Sequence, residues 1–452
     1  MSSSRYHGVR RPTDEGQLLT ETEQHSPPTT PGINLIGHVT GNLGLAVAAR
    51  NTLFALSQSG EPFEVIDIDP GAGRGGHDTT YAEHIGSPER AEYGINFFQL
   101  NPSEVAYMAQ DSPPWLSLAD RLNACVPFWE LPRLPVKWSW IELLEAVDVV
   151  LAPSRFIADA VHTSAPAATV WHYPQAVFLP DGIAADRARF ELPESSVLFY
   201  LSLDVTSDLS RKNPFAALEA FEQAFPAGGE SPDVRLVVKL NNSGTFTWAG
   251  ESAKRIRDLL ADNPRITVID RAMSYAEVLT LNASCDAYVS LHRAEGLGLN
   301  LLEAMSLGKP VIGTAWSGNM DFMTAENSCL VSFDLIPVVS DNSAYQPEAI
   351  GPGQSWADPN VAEAAAWMRR LAEDPELRFR IGAKAAADMA SLRERFLQGE
   401  VFERLEVTRA ETMTRKSSAE RETQWKPLRR VSFSLRVRRL GVRILRKLGL
   451  KR

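Results

Sequence analysis

Two glutamates, Glu295 and Glu303, stand eight positions apart in the run SLHRAEGLGLNLLEAMSLGKPVIGT, residues 290–314. Carboxylates at this spacing suit sugar hydroxyls, because each accepts two hydrogen bonds. The apolar residues 287–291 read as a strand. A bend at Glu295-Gly296-Leu297-Gly298 follows, then a helical pattern over 299–307, stopped by Gly308 and Pro310. A helix N-terminus presents unpaired N–H groups and a partial positive charge, which favour a phosphate or diphosphate. Gly296 and Gly298 let backbone approach such a ligand without a Cβ in the way. Glu295 lies just before the helix and Glu303 about one turn inside it, so both can face one ligand from different depths. An ordinary βαβ turn would show the same glycines.

Two further groups could act on the same ligand. Arg211 and Lys212 precede Pro214, which suits the first position of a helix. Cations beside a helix N-terminus are favourable when an anion sits between them; a solvated Arg-Lys pair is the alternative. Gly41 and Gly44 lie in HVTGNLG, residues 38–44, where a strand again empties onto a helix. The pattern is neither GxGxxG nor a P-loop, since the Lys-Ser/Thr is missing. Glu130 follows Phe128 and Trp129 at the end of a predicted strand, where open α/β sheets bind ligands. An edge aromatic cluster with a solvated Glu reads equally well there. GAGRGGHD, residues 71–78, reads first as a mobile surface loop, with service to an acceptor through its His and Arg as the alternative.

The elements that must place these groups alternate. Strands are predicted at 33–37, 63–68, 95–98, 123–127 and 147–151, then at 197–200, 234–240, 266–269, 287–291 and 311–312. Helical patterns fall at 43–56, 214–225, 253–262 and 275–282, and again from 360 to about 408. This is an α/β chain of two doubly wound, Rossmann-like domains facing a cleft, with a crossing point near residues 172–177. The expected division is a disordered Ser/Thr/Pro-rich lead-in (1–31), a first Rossmann-like domain (32–172) and a second (173–376). C-terminal helices (377–412) that pack back on the first domain and a basic tail (413–452) complete it.

A chain of 452 residues with 44% hydrophobic and 23% charged composition can bury two or three cores. Cys125, Cys285 and Cys329 are too scattered for a disulfide framework or a zinc site and read as buried, reduced thiols. No run has the length of a membrane-spanning helix and no secretory h-region opens the chain, so a cytoplasmic setting is expected. The net charge of −10 is uneven: residues 415–452 hold fourteen Lys or Arg against two Glu. An acidic body argues against a nucleic-acid partner. Within 428–450, Phe433, Val437, Leu440, Ile444 and Leu448 recur at helical spacing beside Arg436, Arg439, Arg443 and Arg446. A basic amphipathic helix at the inner face of an anionic membrane fits this pattern. So do a helix docked on a partner or on the acidic body, and a basic disordered tail.

Over residues 33–408 the chain resembles the retaining GT-B fold glycosyltransferases of glycosyltransferase family 4. The most specific feature is the E-x7-E pair Glu295/Glu303 within EGLGLNLLEAMSLGKPVIGT. GHVTGNLGLAVAARN, VPFWELPRLP, SRKNPFAALEAF, SGNMDF and WADP support it. The resemblance implies a hexosyltransferase that moves a sugar from a nucleoside diphosphate sugar to a glycan, polysaccharide or lipid-linked acceptor, with retention and without a metal or other cofactor. It implies that Glu303 holds the ribose hydroxyls and Glu295 contacts the donor sugar. The N–H groups of Gly296, Leu297, Gly298 and Leu299 would face the sugar and diphosphate. Lys212, with Arg211, would neutralise the departing diphosphate. Gly44 and Gly41 would meet the phosphates from the other domain, and Asn319 would lie near the transferred sugar. Two positions depart from the family pattern. Thr206 stands where many relatives carry an Arg, and Phe128-Trp129-Glu130 where many carry a His. Glu130 is the catalytic candidate on the acceptor side. A non-catalytic nucleotide-sugar-binding scaffold is the competing reading; a glycan phosphorylase or epimerase is disfavoured by the E-x7-E phrase.

Overall fold

The computed structural model describes residues 30–430, apart from 72–73, 77, 227–231, 245 and 262. In the first half, Ile33–Gly37 and Ile95–Gln99 are mostly apolar and buried on both faces, as the inner strands of a parallel sheet must be, with Asn34 Nδ2 donating to Asn96 Oδ1 between them at 3.2 Å. They are β1 and β3 of a six-stranded sheet with β2 (Phe63–Asp67), β4 (Leu122–Cys125), β5 (Val149–Ala152) and β6 (Val170–His172). The order is β2-β1-β3-β4-β5-β6 and every pairing is parallel. The second half repeats the plan with β7 (Val197–Asp204), β8 (Val234–Asn241), β9 (Ile266–Ile269), β10 (Ala287–Ser290), β11 (Val311–Thr314) and β12 (Cys329–Val331). Its order is β12-β11-β10-β7-β8-β9, again parallel.

Parallel strands need crossovers, and helices supply them. In the first half these are α1 (Gly44–Ser59), α2 (Pro102–Asp111), α3 (Trp140–Ala146) and α4 (Arg155–Ser164). In the second they are α5 (Leu209–Lys212), α6 (Pro214–Ala224), α7 (Thr247–Leu260), α8 (Tyr275–Ser284) and α9 (Leu299–Ser306). Each sheet changes direction at one point, between β1 and β3 in the first and between β7 and β10 in the second. The loops that leave the carboxyl ends of those strands are where a ligand is expected. The segments after β1, β7 and β10 lead to Gly41, to Arg211 and Lys212, and to the bend at Glu295–Gly298, whereas Glu130 follows β4 and Asn319 follows β11. Cys125, Cys285 and Cys329 are free and buried, as expected.

Two segments depart from the sequence reading. Between β12 and the next helix, an antiparallel ribbon of β13 (Phe333–Pro337) and β14 (Ser355–Pro359) encloses the short helix α10 (Pro347–Ile350). The sequence carried no signal for it. The second departure is at the C-terminus, where α11 (Val361–Glu373), α12 (Pro375–Leu397), α13 (Glu400–Arg415) and α14 (Ser418–Arg430) follow one another. Phe402 meets Phe97 of β3 with ring centroids 6.2 Å apart. Arg421 is buried and donates through Nη1 to Asp148 Oδ1 at 2.9 Å, while Trp425 and Leu428 are sealed into the core of the first half. A boundary of the tail at residue 413 therefore falls inside a helix, and the docked body extends through α14. The basic stripe beyond residue 430 lies outside the described residues. Among those described, no helix is long and apolar enough to cross a membrane.

Candidate active site in the cleft

A cavity of about 960 Å³ lies between the halves, and Gly41, Gly44, Glu130, Lys212, Glu295 and Glu303 all line it. Residues separated by up to 262 positions thus share one space.

Glu295 follows β10 and is buried, yet Lys212 Nζ donates to its Oε1 at 2.5 Å. Arg211 Nη1 lies 3.5 Å from Glu295 Oε2, and Arg211 Nη2 lies 3.4 Å from Glu130 Oε1. Burial pushes the Glu295 carboxyl up, but Lys212 and Arg211 outweigh it and hold it at about 2. Arg211 itself is buried. Burial works against its charge, and the Glu130, Glu295 and Asp208 carboxylates more than restore it. The two cations therefore differ. Arg211 is fixed between two carboxylates and donates to the Ala294 carbonyl at 2.9 Å. The ammonium of Lys212 stays partly open to the cavity. Of the two, Lys212 is the more open to the cavity, although its ammonium is paired with Glu295.

The bend at residues 295–298 is held tightly. Gly298 sits at φ +90° and is the N-cap of α9, a left-handed position that explains the glycine. Among the described residues no side chain caps α9, so its first N–H groups remain available to a ligand. The Gly296 carbonyl accepts from Ser154 Oγ of the first half at 2.6 Å. A Cβ on Gly296 would stand 2.8 Å from the Trp129 carbonyl oxygen. Asn319 was expected beside the transferred sugar, but it is fully buried and does not reach the cavity. Its Nδ2 donates to the Thr314 carbonyl at 2.9 Å and its Oδ1 meets His292 Nε2 at 3.1 Å. It packs beneath Gly298, whose Cβ would meet the Asn319 Cβ at 3.3 Å, and so braces the bend from behind.

Glu303 faces inward from α9, and Tyr275 Oη donates to its Oε1 at 2.9 Å. Burial dominates here and pushes the carboxyl up to about 7, against the pull of the Tyr275 bond and Arg50. Arg50 belongs to α1 of the opposite half. Its guanidinium lies 5.7 Å from the centroid of the Tyr275 ring, so a cation–π contact bridges the halves.

Arg50 also organises the first-half wall. Its Nη1 donates to the carbonyls of Val39 at 2.8 Å and Gly41 at 3.1 Å, fixing the loop after β1. Its Nε lies 3.3 Å from Asp78 Oδ2. The glycine-rich loop containing Asp78 and Arg74 folds over the β1 loop, with Asn42 N–H donating to the Arg74 carbonyl at 2.9 Å. Arg74 and Asp78 both line the cavity. That loop was expected to be a surface feature; in the structure it is part of the wall. Gly44 and Leu299 face each other across the space, the Gly44 Cβ position lying 3.9 Å from Leu299 Cδ2. Among the described residues no group of three or more His, Cys, Asp or Glu side chains is placed to hold a metal ion.

Comparison with known proteins agrees with the fold. Residues 200–334 match the family described as glycosyl transferases group 1. A sucrose-phosphate synthase from Thermosynechococcus elongatus is similar in structure, with TM-score 0.57 and 15% identity over 83% of this chain and 98% of that one. A glycosyltransferase from Rickettsia africae gives TM-score 0.56 and 12% identity over 83% and 99%. HepE from Anabaena, in complex with UDP and glucose, gives TM-score 0.52 and 14% identity over 82% and 99%. No curated protein matches the sequence. The fold is GT-B, and the family match supports a nucleotide-sugar glycosyltransferase.

Proposed function

We propose that this chain is a retaining glycosyltransferase that moves a hexosyl group from a nucleoside diphosphate sugar to a glycan, polysaccharide or lipid-linked acceptor. One observation carries the reading. Lys212, Glu295 and Glu303 share one cavity at the carboxyl ends of the strands, beside an uncapped helix N-terminus. A nucleotide fits with its ribose hydroxyls on Glu303 and its diphosphate at the start of α9 and Lys212. The structural neighbour HepE, bound to UDP and glucose, supports a ligand of this kind.

The chemistry follows from the charges. As the bond from the anomeric carbon to the diphosphate oxygen breaks, negative charge grows on the leaving group and positive charge on the ring. Lys212 and the N–H groups of α9 meet the first, which lets transfer proceed without a metal. The Glu295 carboxylate lies beside the second. Held by Lys212 and Arg211, it is a poor nucleophile, which supports front-face attack by the acceptor hydroxyl. The hydroxyl proton passes to the leaving phosphate oxygen. Glu130 stands at the first-half edge of the site, where an acceptor enters.

The test is a thermal-shift screen against a panel of nucleoside diphosphate sugars, followed by transfer from the best donor and assignment of the product anomer by NMR. Retention with no trappable glycosyl-enzyme supports the proposal. Inversion, or a covalent intermediate on any carboxylate, overturns the mechanism. The basic stripe beyond residue 430 supplies a peripheral contact with an anionic membrane. Liposome co-sedimentation with and without residues 431–452 tests that, and equal binding would refute it.

A further inference from the structure

The segment between β12 and α11 forms an arm that joins the two halves beside Glu130. It leaves the second half at Phe333 and returns at Pro359, and the family match ends at residue 334, where the arm begins. At its root, Ala357 N–H donates to the Arg293 carbonyl at 2.9 Å. Farther out, the Ala349 carbonyl accepts from Val136 N–H at 2.9 Å, and Gln354 Nε2 donates to the Arg133 carbonyl at 2.9 Å. Both partners belong to the first half. The arm is thus tied to both sides of the cleft by backbone and buried side-chain bonds, at the loop that carries Glu130.

Tyr345 is the arm's contribution to the site. Its ring stacks on Trp129, centroids 6.0 Å apart and planes 13° apart, with Trp356 at 6.4 Å on another side. Its hydroxyl donates to Glu130 Oε2 at 3.0 Å, while the other oxygen of that carboxylate lies 3.4 Å from Arg211 Nη2. Burial drives the phenol well above its ordinary range, so it remains a donor. The arm reaches Arg211 by a second route. Ser340 Oγ donates to Asp208 Oδ2, and Asp208 Oδ1 accepts from Arg211 N–H at 2.9 Å, capping the turn that bears Arg211 and Lys212.

We propose that Tyr345 is a positioning residue. It draws one oxygen of Glu130 away from the cavity, so that the carboxylate neutralises Arg211 without repelling the donor diphosphate. The inference rests on the diphosphate-site reading above. With the tyrosine hydroxyl gone, Glu130 keeps only Arg211 among the described residues and is free to turn towards the phosphates. The cost acts through the charge of Glu130, which separates it from a simple packing role.

A double-mutant cycle tests this, with UDP, GDP and pyrophosphate as probes in calorimetry on wild type, Tyr345→Phe, Glu130→Gln and the double variant. Phenylalanine keeps the ring between Trp129 and Trp356, and thermal unfolding checks that the fold is retained. The expected result is about tenfold weaker binding of the probe by Tyr345→Phe, the scale of one hydrogen bond to a charged group. In the Glu130→Gln background the same change should cost less than about twofold. A full loss that persists without the Glu130 charge, or wild-type binding by Tyr345→Phe, overturns the proposal. If wild type binds none of the three probes, the diphosphate-site reading has failed and the role of Tyr345 falls with it.

Discussion

On the second-half wall of the cleft, a single strand–loop–helix run supplies Glu295, the bend at 296–298, the open N-terminus of α9 and Glu303. On the first-half wall the surface is assembled from the β1 loop, from Arg74 with residues 78–80, and from Glu130, three segments separated in the chain. The second wall is charged and braced from below by buried groups such as Asn319 and His292. The first depends on Arg50, a cation from α1 that holds carbonyls, a carboxylate and a ring of the other half. The second wall is thus set mainly by one local run, completed by Lys212 and Tyr275, and the first by one long side chain. Substitutions should therefore abolish activity on the second wall and loosen the site on the first.

The largest effect is expected at Lys212. Lys212→Ala should lower kcat/KM by about 10²–10³-fold, the range seen when one preorganised charge stabiliser is removed. Comparable initial rates of nucleoside diphosphate release from variant and wild type would place the second wall outside the chemistry. Gly296→Ala should come next, because the new Cβ would lie 2.8 Å from the rigid Trp129 carbonyl. A loss of about 1–3 kcal/mol in unfolding free energy is expected from such overpacking, with reduced turnover. Chemical denaturation with an unchanged midpoint would mean that the halves do not meet as closely as described.

Glu303 gives a pH test. Its carboxyl is pushed up to about 7, and the ribose hydroxyls need the ionised form. Affinity should therefore rise as pH increases towards 7 and level off above it, with a limiting slope of about tenfold per pH unit on the acid side. Glu303→Gln should lose that component, and calorimetry at several pH values compares the two. Identical profiles would remove Glu303 from the nucleotide site. The smallest effect belongs to the first wall. Arg50→Lys keeps a charge but cannot reach two carbonyls and Asp78 together. A roughly three- to tenfold rise in donor KM with little change in kcat is expected, on the scale of one or two lost hydrogen bonds. A loss in kcat as large as that of Lys212→Ala would erase the distinction between the walls.

The same contrast governs what the sequence alone could reveal. The donor-side residues were legible because a strand, two glycines and a helix N-terminus are contiguous and their spacing has a physical meaning. Both parallel sheets were legible for a related reason, since buried strands such as INLIG and INFFQ are mostly apolar and broken only by single buried polar residues, Asn34, Asn96 and Gln99. Arg50 and Tyr275 could not be paired from sequence, because neither carries a local sign of the other and they meet only when the halves face. Tyr345 and Glu130 are 215 positions apart and are joined through an arm with no distinctive periodicity. Asn319 was placed near the sugar from its motif, but its amide is spent inside the protein. A motif names a neighbourhood; only packing shows which atoms remain free.

The central claim is that Lys212 and Glu303 bind a nucleoside diphosphate sugar for transfer. Its most direct test is nucleoside diphosphate release from a panel of such sugars by wild type, Lys212→Ala and Glu303→Ala. Turnover of at least one donor by wild type, with both variants reduced by about a hundredfold or more, is the predicted result. Three proteins that release nucleoside diphosphate at the same rate, or none that release it at all, would contradict the account.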